Sequence, residues 1–432
     1  MLIHASPLAE TAAMLRSGQL DLFAYIDEIC SWIDVAEPEI HALLPEKDRR
    51  QRLMREAIAI QERFPDSYQR PPLYGIPVGV KDVFRVDGFP TQAGSRLPAE
   101  LFAGAEATCI RTLRNAGAII LGKTVSTEFA WIEPGPTRNP HHLGHTPGGS
   151  SSGSAAAVAA GYCPLAIGTQ TIGSTIRPAA FCGIVGFKPS YGRIPTAGLI
   201  LFSESVDTIG LFTQDVDGMA VAASLLCNNW DAMEFTGSDT LPVIGVPDGP
   251  YLAQASPEGL SAFNTQLSLL EQAGCTVRHV TMLEDIEIMN EQHRRLAFGE
   301  LALVHADWFA QYESLYRPRT VEAIRKGQCV SSEELIEYRA GRVALRTALE
   351  QVAQIAGIDL WVCPAAPGAA PEGIITTGDS IMNLPWTYAG LPAITLPAGN
   401  TAHGLPLGLQ CIGKYMGDEQ LIQWAEQITI LC

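Results

Sequence analysis

The sequence predicts one α/β domain: a large, mixed, twisted β-sheet covered by helices on both faces. Three observations predict it. Strand-like apolar runs alternate with helix-period segments from about residue 75 onward. No internal repeat or long low-complexity linker divides the 432 residues. A hydrophobic content of 47% suffices to bury a large core. Within residues 1–432 the pattern marks an N-terminal helical segment (1–65), a central stretch dense in Lys and Ser motifs (66–230), and the remaining strands and covering helices (231–432).

The elements follow in order. From residue 7 to about 64, Leu15, Leu20, Leu22, Phe23, Ile26, Ile29 and Ile33 recur at helical spacing, and a further helix is expected over Arg49–Phe64. PDSYQRPPLYG then breaks the pattern as a Pro-rich loop. IPVGVKDVF reads as a strand, Thr108–Ala116 as a helix, Ala118–Leu121 as a buried strand, Ser151–Ala160 as an Ala-rich helix and Leu165–Gly168 as a short strand. VIGVP near 243, TVRHV, LWVCP, AITLPAG and LPLGLQCIG read as strands. Pro257–Ala273, most of 283–356, and 418–430 read as helices.

Composition excludes several functions. The formal net charge is −17, and a nucleic-acid footprint needs clustered Lys and Arg. The basic runs Arg49–Arg52 and Arg294–Arg295 fall in helical patterns and are expected to be solvated helix faces. An anionic ligand would need a local cation on so acidic a chain. The ten cysteines (30, 109, 163, 182, 227, 275, 329, 363, 411 and 432) include no C-x-x-C pair. They read as free core thiols in a reducing compartment, the cytoplasm. The start has no basic stretch followed by an apolar one, and no run approaches the ~18 apolar residues of a membrane span, so neither a signal peptide nor a membrane partner is expected.

Two motifs match patterns without the required context. GAIILGKT (117–124) fits the phosphate-loop spelling, but a helix precedes Gly117 and an apolar strand fills the interval, the inverse of the strand–loop–helix that cradles phosphate. GSSSG (149–153) fits the nucleophile-elbow spelling around Ser151, but a loop rather than a strand leads into it. His141, His142 and His145 lie in that Pro/Gly loop without a Cys or carboxylate cluster, and read as polar loop residues rather than metal ligands.

The stretch His145–Pro189 carries more chemistry. Ser150, Ser151, Ser152 and Ser154 cluster at a helix start, where hydroxyls cap backbone N–H groups. Ser174 follows Gly173 in the turn TQTIGS, whose successive N–H groups could converge on one oxyanion. A hydroxyl nucleophile needs a base. Lys81, ending the apolar run Ile76–Val80, is a candidate if burial keeps it neutral; pairing with Asp82 is the structural alternative.

YGIPVGVKD, GKTVSTEFA, TPGGSSSGSAAAVAAG, IRPAAFCGIVGFKPS, SVDTIGLF and LPAITLPAG followed by GLPLGLQ occur in one order over nearly the whole chain. In these landmarks the sequence resembles the amidase signature family. The resemblance implies a Ser–cis-Ser–Lys triad of nucleophile Ser174 (in IGS), Ser150 (first serine of GGSSSG, after a cis Gly149–Ser150 bond) and Lys81 (in GVKD). It also implies an oxyanion hole from the backbone N–H groups of Thr171, Ile172, Gly173 and Ser174, and an acyl-enzyme that releases ammonia or an amine without cofactor or metal. The chain departs from the family's usual D-[TI]-G-G-S-I-R. Gln170 replaces the Asp, Ile172 replaces a Gly, and Arg177 stands three residues after Ser174 instead of two. In the shifted arginine it is most similar to small-acid amidases such as malonamidase. Arg177 is therefore expected either to bind a substrate carboxylate or to form a structural ion pair. The expected function is hydrolysis of a small, carboxylate-bearing amide, by a chain that could form a homodimer. The alternative is a glutaminase component of a multi-protein amidotransferase complex.

Overall fold

The computed structural model describes residues 1–231 and 241–431. Its ten strands are β1 (Pro77–Lys81), β2 (Ile119–Thr124), β3 (Leu165–Gln170), β4 (Val185–Lys188), β5 (Thr208–Thr213), β6 (Val243–Asp248), β7 (Thr276–Thr281), β8 (Leu360–Pro364), β9 (Ala393–Asn400) and β10 (Pro406–Ile412). They form one sheet in the order β2-β1-β3-β5-β4-β9-β10-β8-β6-β7. The β1–β2, β1–β3, β6–β7 and β6–β8 pairs are parallel; the five central pairings from β3 to β8 are antiparallel. The expected α/β fold with a mixed sheet is what forms.

The strands that carry the site are buried on both faces, as parallel strands under helices are. The Ala-rich helix Ser152–Ala159 is wholly buried against β1, β2, β3 and β5. Its small side chains let it pack that closely. The N-terminal helices Leu8–Ser17, Leu22–Ile40 and Arg49–Arg63 join one large apolar cluster with the β1–β5 half. A second cluster gathers Tyr251, Trp361 and Trp386.

Several local expectations change. β1 stops at Lys81 rather than running to Phe84, because the Lys81 carbonyl accepts the Val83 and Phe84 N–H groups and turns the chain. β2 runs on through Gly122, Lys123 and Thr124, so the phosphate-loop spelling lies inside a strand. Lys123 is buried there and pairs with Asp82 at 2.8 Å, while donating to the carbonyls of Phe84 and Pro90. Lys81 is thus not the partner of Asp82. The Arg49–Arg52 run is not a solvated face. Arg52 bonds Glu46, Glu56 and the carbonyls of Ile120 and Leu121, clasping the helix to β2. In the second run, Arg295 pairs with Glu334. Eight of the nine described cysteines are buried. Cys329 is exposed, in the turn between the helices Pro318–Gly327 and Ser332–Ala356, and Cys432 lies outside the described residues. No described helix is long and apolar enough to cross a membrane.

The Asp82–Lys123 pair fixes the backbone just beyond Lys81. Removing one partner strands a buried charge, so Asp82→Ala should lower unfolding stability by about 3–5 kcal/mol. The joint replacement Asp82→Leu/Lys123→Met should cost less than Asp82→Ala alone. Denaturant titration measures both; equal or greater loss in the double variant would contradict the pair's role.

Candidate active site

The carboxyl ends of the parallel strands β1 and β3 and the start of the antiparallel β5 meet at one point. Lys81 ends β1, Thr169 and Gln170 end β3, and Thr208 of β5 lies opposite Gln170. Lys81 is 0% exposed. Its Nζ lies 2.7 Å from Ser150 Oγ and 2.8 Å from Thr169 Oγ1. Burial pulls the amine's pKa down to about 7, against a smaller opposing pull from Asp207. Asp207 is itself pushed up to about 6 by burial. Thr171 Oγ1 donates to it at 2.5 Å, and the N–H groups of Phe202 and Ser203 donate at 2.7 and 3.1 Å.

The Gly149–Ser150 peptide is cis, as the resemblance implies. The neighbouring serines do not cap the helix they begin: Ser151, at its N-cap, makes no side-chain hydrogen bond to the first turn. The helix is buried against β3, so their hydroxyls find partners there. Ser151 Oγ donates to Thr169 O, Ser154 Oγ to Ile167 O, and Ser152 Oγ turns back to Gly148 O.

Ser174 sits in the turn after β3, 7% exposed. Its Oγ has no hydrogen-bond partner among the described residues, Ser150 included. The backbone around it is nonetheless fixed. The carbonyl of Thr171 accepts from His293 Nε2 at 2.9 Å, that of Ile172 from Thr387 Oγ1 at 2.6 Å, and that of Gly173 from the Arg177 N–H at 3.1 Å. Among the described residues the N–H groups of Ile172, Gly173 and Ser174 have no acceptor. Buried backbone donors rarely go unpaired, and donors held ready for a developing oxyanion are one reason they do. Ile172 does not have positive φ, so a branched side chain fits where the family usually has Gly.

His293 faces two carbonyls, Thr171 O at 2.9 Å and Leu384 O at 3.2 Å. Burial drives its pKa down to about 4, so at neutral pH it has one N–H to give. The shorter contact assigns that proton to Nε2.

Arg177 is 4% exposed and reaches back to the first serine segment. NH2 donates to Gly149 O at 2.5 Å and to Thr377 Oγ1 at 3.2 Å; NH1 donates to Gly378 O at 2.7 Å. Nε has no partner. No carboxylate lies within ion-pair distance among the described residues, so the structural ion pair is not what forms. Burial lowers the guanidinium's pKa to about 10, with Asp379 opposing.

The loop histidines are placed apart from this cluster. His142 Nδ1 and His145 Nδ1 lie 2.9 Å apart on the surface, and His141 Nε2 contacts Cys182 O. Among the described residues no group of three or more His, Cys, Asp or Glu side chains is arranged to hold a metal ion. Thr169, Asp207, His293, Asn383 and Thr387 all touch the site or its loop yet escape motif reading. Two of them had a sequence signal, Thr169 as the first residue of TQTIGS and Asp207 by its place in SVDTIGLF.

The description "Amidase" belongs to a family model that matches residues 25–422. The A-type subunit of glutamyl-tRNA(Gln) amidotransferase from Oleidesulfovibrio alaskensis is 33% identical, over 98% of this chain and 96% of that protein. A crystal structure of an amidase superposes with a TM-score of 0.87 at 30% identity, covering 98% of this chain and 99% of the other. A solved structure reported as a vestigial protein complex that reveals the evolutionary origins of an s-triazine catabolic enzyme gives a TM-score of 0.86 at 27% identity, covering 98% of each chain.

A Cβ at Gly173 would lie 2.2 Å from Asn383 Oδ1 and 2.8 Å from Ser380 Cβ. Asn383 cannot retreat easily, since its Nδ2 is tied to Ala365 O and Gln410 Oε1. Gly173→Ala should therefore displace the 172–174 N–H groups and, where these serve an oxyanion formed at Ser174, slow its labelling by a fluorophosphonate by about tenfold or more. Mass-spectrometric labelling rates measure this; wild-type labelling by the variant would contradict the packing argument.

Proposed function

The chain belongs to the amidase signature family of C–N hydrolases, and on that premise we propose that it cleaves a small, carboxylate-bearing amide with Ser174 as nucleophile and Ser150 and Lys81 as its proton relay. The observation that carries the reading is the fully buried Lys81 amine, 2.7 Å from Ser150 Oγ, with its pKa near 7.

At neutral pH a large share of Lys81 is uncharged and has a lone pair to accept a proton. In the relay, Lys81 takes the proton of Ser150 Oγ, and Ser150 takes that of Ser174 Oγ as Ser174 turns toward it. Ser174 Oγ attacks the amide carbon and the carbonyl oxygen gains the negative charge. The unpaired N–H groups of the 171–174 turn support an oxyanion hole there; one such donor contributes about 3–4 kcal/mol. The relay returns its proton to the leaving nitrogen and the C–N bond breaks. Water then takes the amine's place and hydrolyses the acyl-enzyme by the same steps in reverse.

Arg177 supports a carboxylate on the substrate. Among the described residues it is a buried cation whose hydrogen-bond partners are all neutral oxygens, and a desolvated charge of this kind is costly without a counterion. On a chain of net charge −17 it would supply the local cation that an anionic substrate needs.

The likeness to an amidotransferase component favours a second reading, a glutaminase that passes ammonia to a partner. One screen separates the two. Ammonia release is measured from malonamate, malonamide, allophanate, glutamine and simple aliphatic or aryl amides, with Ser174→Ala as control. The proposal predicts release from an anionic small amide by the chain alone, abolished in Ser174→Ala. Release from glutamine only when a partner protein is added would favour the second reading. Arg177→Met should lose activity on malonamate far more than on malonamide; equal loss on both would refute the carboxylate role.

The pH profile follows from Lys81. Its protonated form cannot accept a proton, so kcat/KM should fall about tenfold per pH unit below about 7 and level off above it. A profile flat down to pH 5 would contradict Lys81 as the base.

A further inference from the structure

Gln170, one of the residues that depart from the family pattern near Ser174, does something a carboxylate could not. Its Oε1 accepts the N–H groups of Thr175 at 2.8 Å and Ile176 at 3.0 Å. Only the amide oxygen can accept both, so the orientation of the amide is fixed and Nε2 must point the other way. There it donates to Thr387 Oγ1 at 2.9 Å. Thr387 Oγ1 lies 2.6 Å from Ile172 O, and 3.0 Å from Asn383 O one turn back in its own helix.

A hydroxyl has one proton and two lone pairs. With Gln170 donating into the oxygen, the Thr387 proton is left for a carbonyl, and the shorter distance assigns it to Ile172. The result is a directed chain, from Gln170 Nε2–H to Thr387 Oγ1–H to Ile172 O. It begins at the end of β3 and ends on the turn that holds Ser174. Gln170 and Thr387 are both buried, so neither has water as a ready substitute partner.

We propose that Gln170 and Thr387 form a positioning pair that turns the Ile172 carbonyl away from the site and so aims the 172–174 N–H groups at the oxyanion. The pair touches no reacting atom and acts through the loop. The inference rests on the acyl-transfer reading above and names the residues that set its oxyanion hole.

Four variants separate the roles. Gln170→Glu keeps the acceptor for the Thr175 and Ile176 N–H groups and, when ionised, loses the donor to Thr387. Thr387→Val removes the hydroxyl, and Thr387→Ser restores it. The fourth is the double variant Gln170→Glu/Thr387→Val. Three readouts are used: kcat and KM on the best amide, the rate of Ser174 labelling by a fluorophosphonate, and hydrogen exchange of the 171–176 peptide by mass spectrometry.

Gln170→Glu and Thr387→Val should each lower kcat and Ser174 labelling by roughly tenfold to a hundredfold, less than the ~10²–10³ of deleting an oxyanion donor outright. KM should change little. Exchange in 171–176 should rise, Thr387→Ser should recover most of both rates, and the double variant should be no worse than the poorer single one, because both break one chain. Wild-type labelling in Thr387→Val would overturn the proposal, as would a valine and a serine variant that are equally impaired. Should the wild-type chain release no ammonia from any amide, the proposed reaction fails, but labelling and exchange still test the pair.

Discussion

An amine at the end of β1 with no exposed surface must either find a counterion or give up its charge. Lys81 has two hydroxyls within hydrogen-bond range and a carboxylate, Asp207, acting only at longer reach. Burial outweighs that carboxylate, and the amine becomes a base close to neutrality. The buried strands on either side, the Ala-rich helix packed over them and the Asp82–Lys123 pair beyond all serve the same constraint. They keep water from Nζ and hold the strand end where Ser150 can meet it.

The second serine is held by a different device. The turn that bears Ser174 is secured from outside through its carbonyls, by His293, Thr387 and the Arg177 N–H, so that its N–H groups are left over. Arg177 ties the two serine segments directly, from the helix after Ser174 to the carbonyl before Ser150. Asn383 closes the space behind Gly173, so that a side chain there would force the turn or Asn383 to shift. Such an outer layer of hydrogen bonds is what fixes a reacting constellation to within a fraction of an ångström.

What the sequence made legible, and what it hid, divides along physical lines. Lys81, Ser150 and Ser174 each stand in a short motif of the amidase signature family, so the resemblance could pick them out together where their local chemistry alone left Ser150 as a cap and Lys81 open. Thr169 stands in TQTIGS, but its contact with Lys81 spans 88 residues; His293, Asn383 and Thr387 come from distant parts of the chain, and only the fold brings them to the turn. The α/β alternation was clear in long apolar runs, while β4 and β5 were not. β4 has four residues, and β5 is interrupted by Gly210, where a Cβ would strike Thr175. The serine cluster misled because capping assumes an open first turn, whereas this one is buried against β3. Arg49 and Arg52 misled because charge alone does not reveal that Glu46 and Glu56 lie beside them.

The central claim is that the Lys81 amine gives up its proton near neutrality rather than near the ordinary lysine value, and it can be observed without any substrate. Lysine side-chain NMR signals, with the Lys81 resonance assigned by its absence in Lys81→Met, report the protonation midpoint directly. The account predicts a midpoint near 7 for that one lysine. A midpoint near the ordinary value of about 10.4 would contradict it.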